Sequence, residues 1–124
     1  MLHDAEKSAK LFDSSTCFVC TENEIIIGMA YLVPSGHAWD VYKAEWAQLR
    51  MVGVHPAKQG RGIAKALTRM CIEHARNTGE KTLALHTSEL MPAAMHVYEG
   101  LGFVKQFEMD RRFGKRYWLF TLTL

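Results

Sequence analysis

The sequence predicts one mixed α/β domain over residues 1–124, a sheet of about six strands flanked by about three helices with a central β-α-β-α-β. Three observations carry this reading. Strand-like and helix-like hydrophobic patterns alternate between residues 45 and 103. Hairpin signals flank that core on both sides, at Glu22-Asn23-Glu24 and at Gly114. The chain has 124 residues, 48% hydrophobic and 23% charged, a length and composition that suit a single globular core.

Taken in order, Leu2, Ala5, Ala9 and Phe12 recur at helical spacing, so the chain is expected to open with a short helix. "TCFVCTE" (16–22) and "EIIIGMAYLV" (24–33) then form a hairpin of strands rich in β-branched and aromatic residues. Pro34-Ser35-Gly36 starts a loop that runs to about residue 44. Residues 45–54 form a strand with apolar residues on both faces toward its end, hence central in a sheet. Gly53 inside it suggests a bulge or a close approach by another group. Ile63, Ala66, Leu67, Met70, Cys71 and Ala75 make the apolar stripe of a strong helix, closed at Asn77-Thr78-Gly79. "KTLALHT" (81–87) is a buried strand parallel to the one before it, because the crossover is right-handed. A helix from near Pro92 ends at the glycines Gly100 and Gly102. "FVKQFEM" and "RYWLFTLTL" close the chain as two strands.

Several function classes recede on composition. A net charge of +2 without a dense Lys/Arg run argues against nucleic acid. "RRFGKR" (111–116) reads as a hairpin tip. No stretch reaches the ~18 apolar residues of a membrane span, and the start lacks the basic and apolar regions of a secretory signal. The expected compartment is the cytoplasm. Cys17 and Cys20 form a C-x-x-C, but on a strand residues three apart face opposite sides. The reading is structural cysteine, with no metal.

The chemistry concentrates in "HPAKQGRGIAKAL" (55–67), where two glycines and the cations Lys58, Arg61 and Lys65 precede and enter the strong helix. A helix start leaves backbone N–H groups without partners and carries partial positive charge, which suits a phosphate. Gln59, Gly60, Arg61, Gly62, Ile63 and Ala64 occupy that position. The stretch lacks the Gly-Lys-Ser/Thr ending of a nucleotide-binding P-loop and the third glycine of a dinucleotide fingerprint. A solvated β-α turn that holds nothing stays open on these residues alone.

Gln59-x-x-Gly62-x-Ala64, following a strand that ends at Val54, resembles the acyl-CoA signature of the GNAT N-acetyltransferases. "AAMHVYEGLGF" (93–103) resembles the same family's fourth-helix segment, with a Tyr followed by Leu-Gly-Phe. The resemblance runs from about Cys17 to the C-terminus and implies a GNAT-like sheet. It implies that the turn from Gln59 to Ala64, with Lys65 nearby, binds the CoA pyrophosphate. It implies that the backbone of Val52, Gly53 and Val54 pairs with the pantetheine arm, and that Tyr98 protonates the leaving thiolate. The implied activity is transfer of an acetyl group from acetyl-CoA to a primary amine on a small molecule or peptide. A non-catalytic acyl-CoA-binding or regulatory domain is the alternative, and a structural or partner-binding domain whose turn holds nothing is a third.

The sequence also departs from the family pattern. Gln48 stands six residues before Val54, where many relatives carry a Glu that serves as base. Water, a neutral amine, His86 or Glu89 are the substitutes. Met91 stands where an Asn is frequent. The usual N-terminal strand and helix are expected to be missing: this is a minimal version, or a partner chain completes the site as in a homodimer, or the start is cut short. Trp39, Asp40 and Tyr42, in the loop bordering the acceptor side, could hold a cationic amine or anchor the loop.

Overall fold

The computed structural model describes residues 2–7 and 15–124. The elements run β1 (Leu2–Lys7), β2 (Thr16–Glu22), β3 (Ile25–Val33), β4 (Ala47–Val54), α1 (Ile63–Asn77), β5 (Thr82–Ser88), α2 (Pro92–Gly100), β6 (Val104–Arg112) and β7 (Lys115–Thr123). All seven strands lie in one sheet, in the order β1-β2-β3-β4-β5-β7-β6. Only β4 and β5 are parallel, and the other neighbours are antiparallel. The mixed α/β class and the central β-α-β-α-β hold.

The start does not hold. Residues 2–7 are a strand paired antiparallel with β2, not a helix, so an N-terminal strand is present before the first hairpin where none was expected. Helical spacing in a short segment is a weak prior, and the free edge of β2 offers a ladder that overrides it. Ala9 and Phe12 lie outside the described residues. The count becomes seven strands and, among the described residues, two α-helices in place of about six and three. The first hairpin turns through Asn23 (φ 51°) and Glu24 (φ 66°). Both residues are left-handed, as a two-residue turn between right-twisted strands requires.

The sheet has two unlike faces. On one, Leu67, Cys71, Ile72 and Ala75 of α1 and Tyr98 of α2 share one buried cluster with Phe18, Leu32, Leu49, Leu83 and Phe120 of the sheet. On the other, the loop of residues 34–46 lays Tyr42, with Val41 and Trp46, over Ala84, Met109 and Leu119.

Gly28 on β3 lets α1 approach. A Cβ there would come within 2.8 Å of Ile63 Cγ2 and 3.1 Å of Leu67 Cδ1. Ile63 is β-branched and stiff in a helix, so it cannot turn aside cheaply. Gly28→Val is expected to lower stability by about 1–3 kcal/mol through overpacking. A shifted midpoint in urea unfolding with an unchanged slope is the check.

Candidate active site

The site begins where the sheet splits. β4 and β5 pair only at Ala47↔Leu83 and Gln48↔Ala84. Beyond that point β4 stays with β3 through Val54, and β5 stays with β7 through Ser88. The cause lies on β4. Its register against β3 slips between Tyr31↔Arg50 and Met29↔Gly53, leaving one extra residue on β4. Met51 takes φ 53°, a left-handed conformation uncommon for a non-glycine residue. Such a bulge bends the strand and raises its twist.

The bulge therefore sits at Met51, two residues before the position that Gly53 suggested. Gly53 answers to the other half of that expectation. A Cβ there would meet nothing within 4 Å, so no neighbour demands a glycine. It lies instead on an open groove of about 480 Å³, with Val52 and Val54 beside it.

That groove runs from the end of β4 to the start of α1 and across to α2. One wall is residues 52–54, with Lys58, Gln59, Gly60, Gly62, Ile63, Ala64 and Lys65 at its head. The other wall is residues 90–94 with Val97 and Tyr98. α1 starts at Gly62 (φ 78°), which carries no side-chain cap, and its first turn holds no acidic residue. Its leading N–H groups are left for a ligand. The Gln59 amide reaches back 3.5 Å to the Val54 carbonyl and ties the turn to the strand.

Ten of the eleven residues expected at the site thus line one groove. Arg61 is the exception. Its guanidinium lies 2.9 Å from Glu22 and is half exposed, and Lys58 lies 2.7 Å from the other Glu22 oxygen. Hydrogen bonds from Lys58 and Arg61 hold the Glu22 carboxyl down at about 2. The residues read from sequence left out the second wall, Leu90, Pro92–Ala94 and Val97. Ala94 is one helical turn before Tyr98, a spacing that places both on one face. Nothing local marks Glu22, which is 39 positions from Arg61.

Tyr98 is buried at 7% exposure and packs edge-on against Phe103. Burial, with Cys71 adding to it, pushes its phenol up to about 12, so it is protonated at neutral pH. Gln48 is fully buried and committed: its Nε2 donates to the His37 carbonyl at 2.7 Å, and Arg50 approaches its Oε1 at 3.4 Å. Glu89 is tied to β7 by the Arg116 backbone N–H at 2.7 Å. His86 Nδ1 is hydrogen-bonded to the Tyr42 hydroxyl; burial, then Arg50, lowers the His86 pKa and keeps the ring neutral. Cys17, Cys20 and Cys71 are buried and form no disulfide.

A parallel pair split beside an uncapped, glycine-led helix start forms one groove within a single sheet. The chain belongs to the acetyltransferase (GNAT) family, whose family model matches residues 2–103. It is 33% identical over 107 residues to a mycothiol acetyltransferase of Streptomyces scabiei, an alignment that covers 86% of this chain and 32% of that protein. It is 32% identical over 96 residues to human N-acetyltransferase 8B, covering 77% of this chain and 41% of that one. The chain thus spans well under half the length of these relatives. In fold it is similar to a Bacillus subtilis acetyltransferase solved in complex with CoA, with a TM-score of 0.78 at 15% identity over 99% of this chain and 97% of that one. It is also similar to a GNAT family acetyltransferase from Elizabethkingia anophelis solved with acetyl-CoA bound, with a TM-score of 0.74 at 20% identity over 100% and 97% of the two chains.

The tie at Glu22 yields a pH prediction. A carboxyl whose folded pKa is depressed adds stability that is present above its unfolded value and lost as pH falls through the folded one. The Glu22 tie should therefore hold from neutral pH down past 4.5 and fail near 2. Carbon-detected NMR should show the Glu22 carboxyl titrating near pH 2. In a Lys58→Ala, Arg61→Ala double variant the midpoint should return toward the ordinary range of about 4.

Proposed function

We propose that the chain transfers the acetyl group of acetyl-CoA to a primary amine by direct attack. One observation carries the reading: a single groove joins the uncapped start of α1, the unpaired edge of β4 and the buried phenol of Tyr98. Acetyl-CoA supplies the reactive thioester. The residues present fit it. The N–H groups from Gln59 to Ala64, with Lys58 and Lys65 beside them, suit the pyrophosphate. The open edge at Val52, Gly53 and Val54 suits an extended amide-bearing arm, added as a strand would be. The bare Cα of Gly53 leaves room for close approach.

The domain lowers the barrier by alignment and by preorganised donors. The amine nitrogen forms a bond to the acetyl carbon as the carbon–sulfur bond breaks. Tyr98 gives its proton to the departing sulfur and is reprotonated by the proton that the nitrogen sheds. The phenol is pushed up to about 12, so Tyr98 remains the acid form across the working range. Gln48 is amide, not carboxylate, and both its ends are engaged within the fold. The amine therefore arrives neutral or loses its proton to water. An amine on a small molecule or a peptide and a cytoplasmic setting belong to the same reading.

The commitment of Gln48 also favours a second reading, a domain that binds acyl-CoA without turning it over. Two measurements separate the two. Acetyl-CoA titrated into the protein in a calorimeter should bind in the micromolar range, and Gly62→Asp should abolish it by placing a carboxylate at an anion site. Tyr98→Phe should lower kcat by about 10²–10⁴-fold, the usual contribution of a positioned acid, with donor binding nearly unchanged. Micromolar binding with no acetylation of any amine would favour the second reading.

A further inference from the structure

The split in the sheet opens on two faces, and the donor groove occupies one. Gln48↔Ala84 is the last pair between β4 and β5, so Arg50 and His86 stand two residues past it on opposite banks of the gap. Side chains two apart share a face, and Ala84 belongs to the cluster on the loop side of the sheet. Arg50 and His86 therefore flank the mouth of the gap opposite the helices. Tyr42 bridges them from the loop above: its hydroxyl is hydrogen-bonded to His86, and its ring lies 5.9 Å from the Arg50 guanidinium. Trp39 stacks on the same guanidinium at 4.3 Å.

Of the two roles left open for Trp39, Asp40 and Tyr42, holding a cationic amine or anchoring the loop, this arrangement favours the second. The protein's own arginines already take those groups. Arg50 covers both rings, and Arg112 forks onto the Asp40 carboxylate. Arg50 itself has no carboxylate in salt-bridge reach among the described residues. Its hydrogen bond to Gln48 is long, at 3.4 Å. A guanidinium fixed by its face leaves its edge of N–H donors for a planar anion.

We infer that Arg50 is a specificity-determining residue that pairs with a carboxylate carried by the amine acceptor, so that the acceptor class is amino acids, with a carboxylate near the amine. This rests on the transferase reading above. An Arg50 that merely held the loop would serve every acceptor alike, so the test is discrimination between matched pairs.

The probes are glycine, L-alanine, L-phenylalanine, L-cysteine and β-alanine, each beside its own carboxamide, with acetylated product measured by mass and rates referred to the neutral fraction of each amine. The expected result is that the acids are preferred in kcat/KM on the order of tenfold, a difference of about 1.4 kcal/mol, in at least one pair. Arg50→Gln should collapse that preference, and Arg50→Lys should retain part of it. Acetyl-CoA calorimetry on each variant reports whether the donor site survives. If Arg50→Gln loses it, the wild-type ratios and Arg50→Lys decide. Carboxamides used as well as acids in every pair overturn the inference and leave the transferase reading standing. So does an acid preference that persists undiminished in Arg50→Gln. Acetyl-CoA bound with no member of either set acetylated overturns the inference and leaves the transferase reading to be decided by amines of other kinds.

Discussion

The site depends on hydrogen bonds that β4 and β5 do not make to each other beyond Gln48 and Ala84. A ladder continued to Val54 would seal the sheet and leave no groove. The split is enforced from several directions. The bulge at Met51 twists β4 outward. The bulged ladder of β3 with β4 and the unbroken ladder of β5 with β7 hold each bank to its own side. The crossover helix α1 packs on one bank and α2 rises from the other, so each has its own support. An unpaired strand edge facing water is tolerable, but the same edge buried without partners costs about 1–3 kcal/mol per group. Whatever closes the groove must therefore bring its own amides or carbonyls.

The head of the groove is tuned by a small electrostatic arrangement. Three cations stand in the turn and the first turn of α1, and Glu22 from the first hairpin engages two of them. All three partners are substantially exposed, and pairs of that kind contribute little, commonly under 1 kcal/mol. They also come apart readily. Lys58 lines the groove while paired with Glu22, so a diphosphate competes with a single carboxylate for it. In the proposed reading Glu22 positions the turn before the donor arrives and yields Lys58 when it does.

Much of this was legible in the sequence, for identifiable reasons. The stripe from Ile63 to Ala75 and the alternation of strands and helices are local periodicities, and they set the core that the structure contains. The glycine-rich turn is also local, since backbone freedom and a helix start are adjacent in the chain. Gly53 drew attention to the correct stretch of β4 but to the wrong residue for the bulge. Glycine is the usual guess for strained backbone, and no rule of composition points to a left-handed Met51. The first strand was misread because its partner, β2, decides its conformation. Arg61 was placed in the groove because its neighbours in sequence are there. Its partner Glu22 lies in another hairpin, and such ion pairs leave no local trace. The Arg50 cluster failed to register for the same reason: Trp39, Asp40 and Tyr42 looked available until the arginines at 50 and 112 were brought over them.

The two faces of the split are chemically unlike, which bears on how a direct transfer could work. The helix side is walled by small and apolar groups around the uncapped start of α1, suited in the proposed reading to an extended flexible arm. The loop side is walled by a hydrogen-bonded Tyr42–His86 pair and a stacked guanidinium. The partition is a single sheet, and past Gln48 the partition itself is open. Two reactants entering from opposite faces can therefore meet in the gap without either crossing the other's binding surface, the arrangement that a ternary complex requires. Neutral His86 beside Arg50 and Arg112 fits this division better as a hydrogen-bonding group than as a base. Two nearby guanidiniums oppose the charge that a base must take up, and they favour an anion at the same place. In the proposed reading the loop face is an apparatus for recognition, and the proton chemistry stays on the helix side with Tyr98.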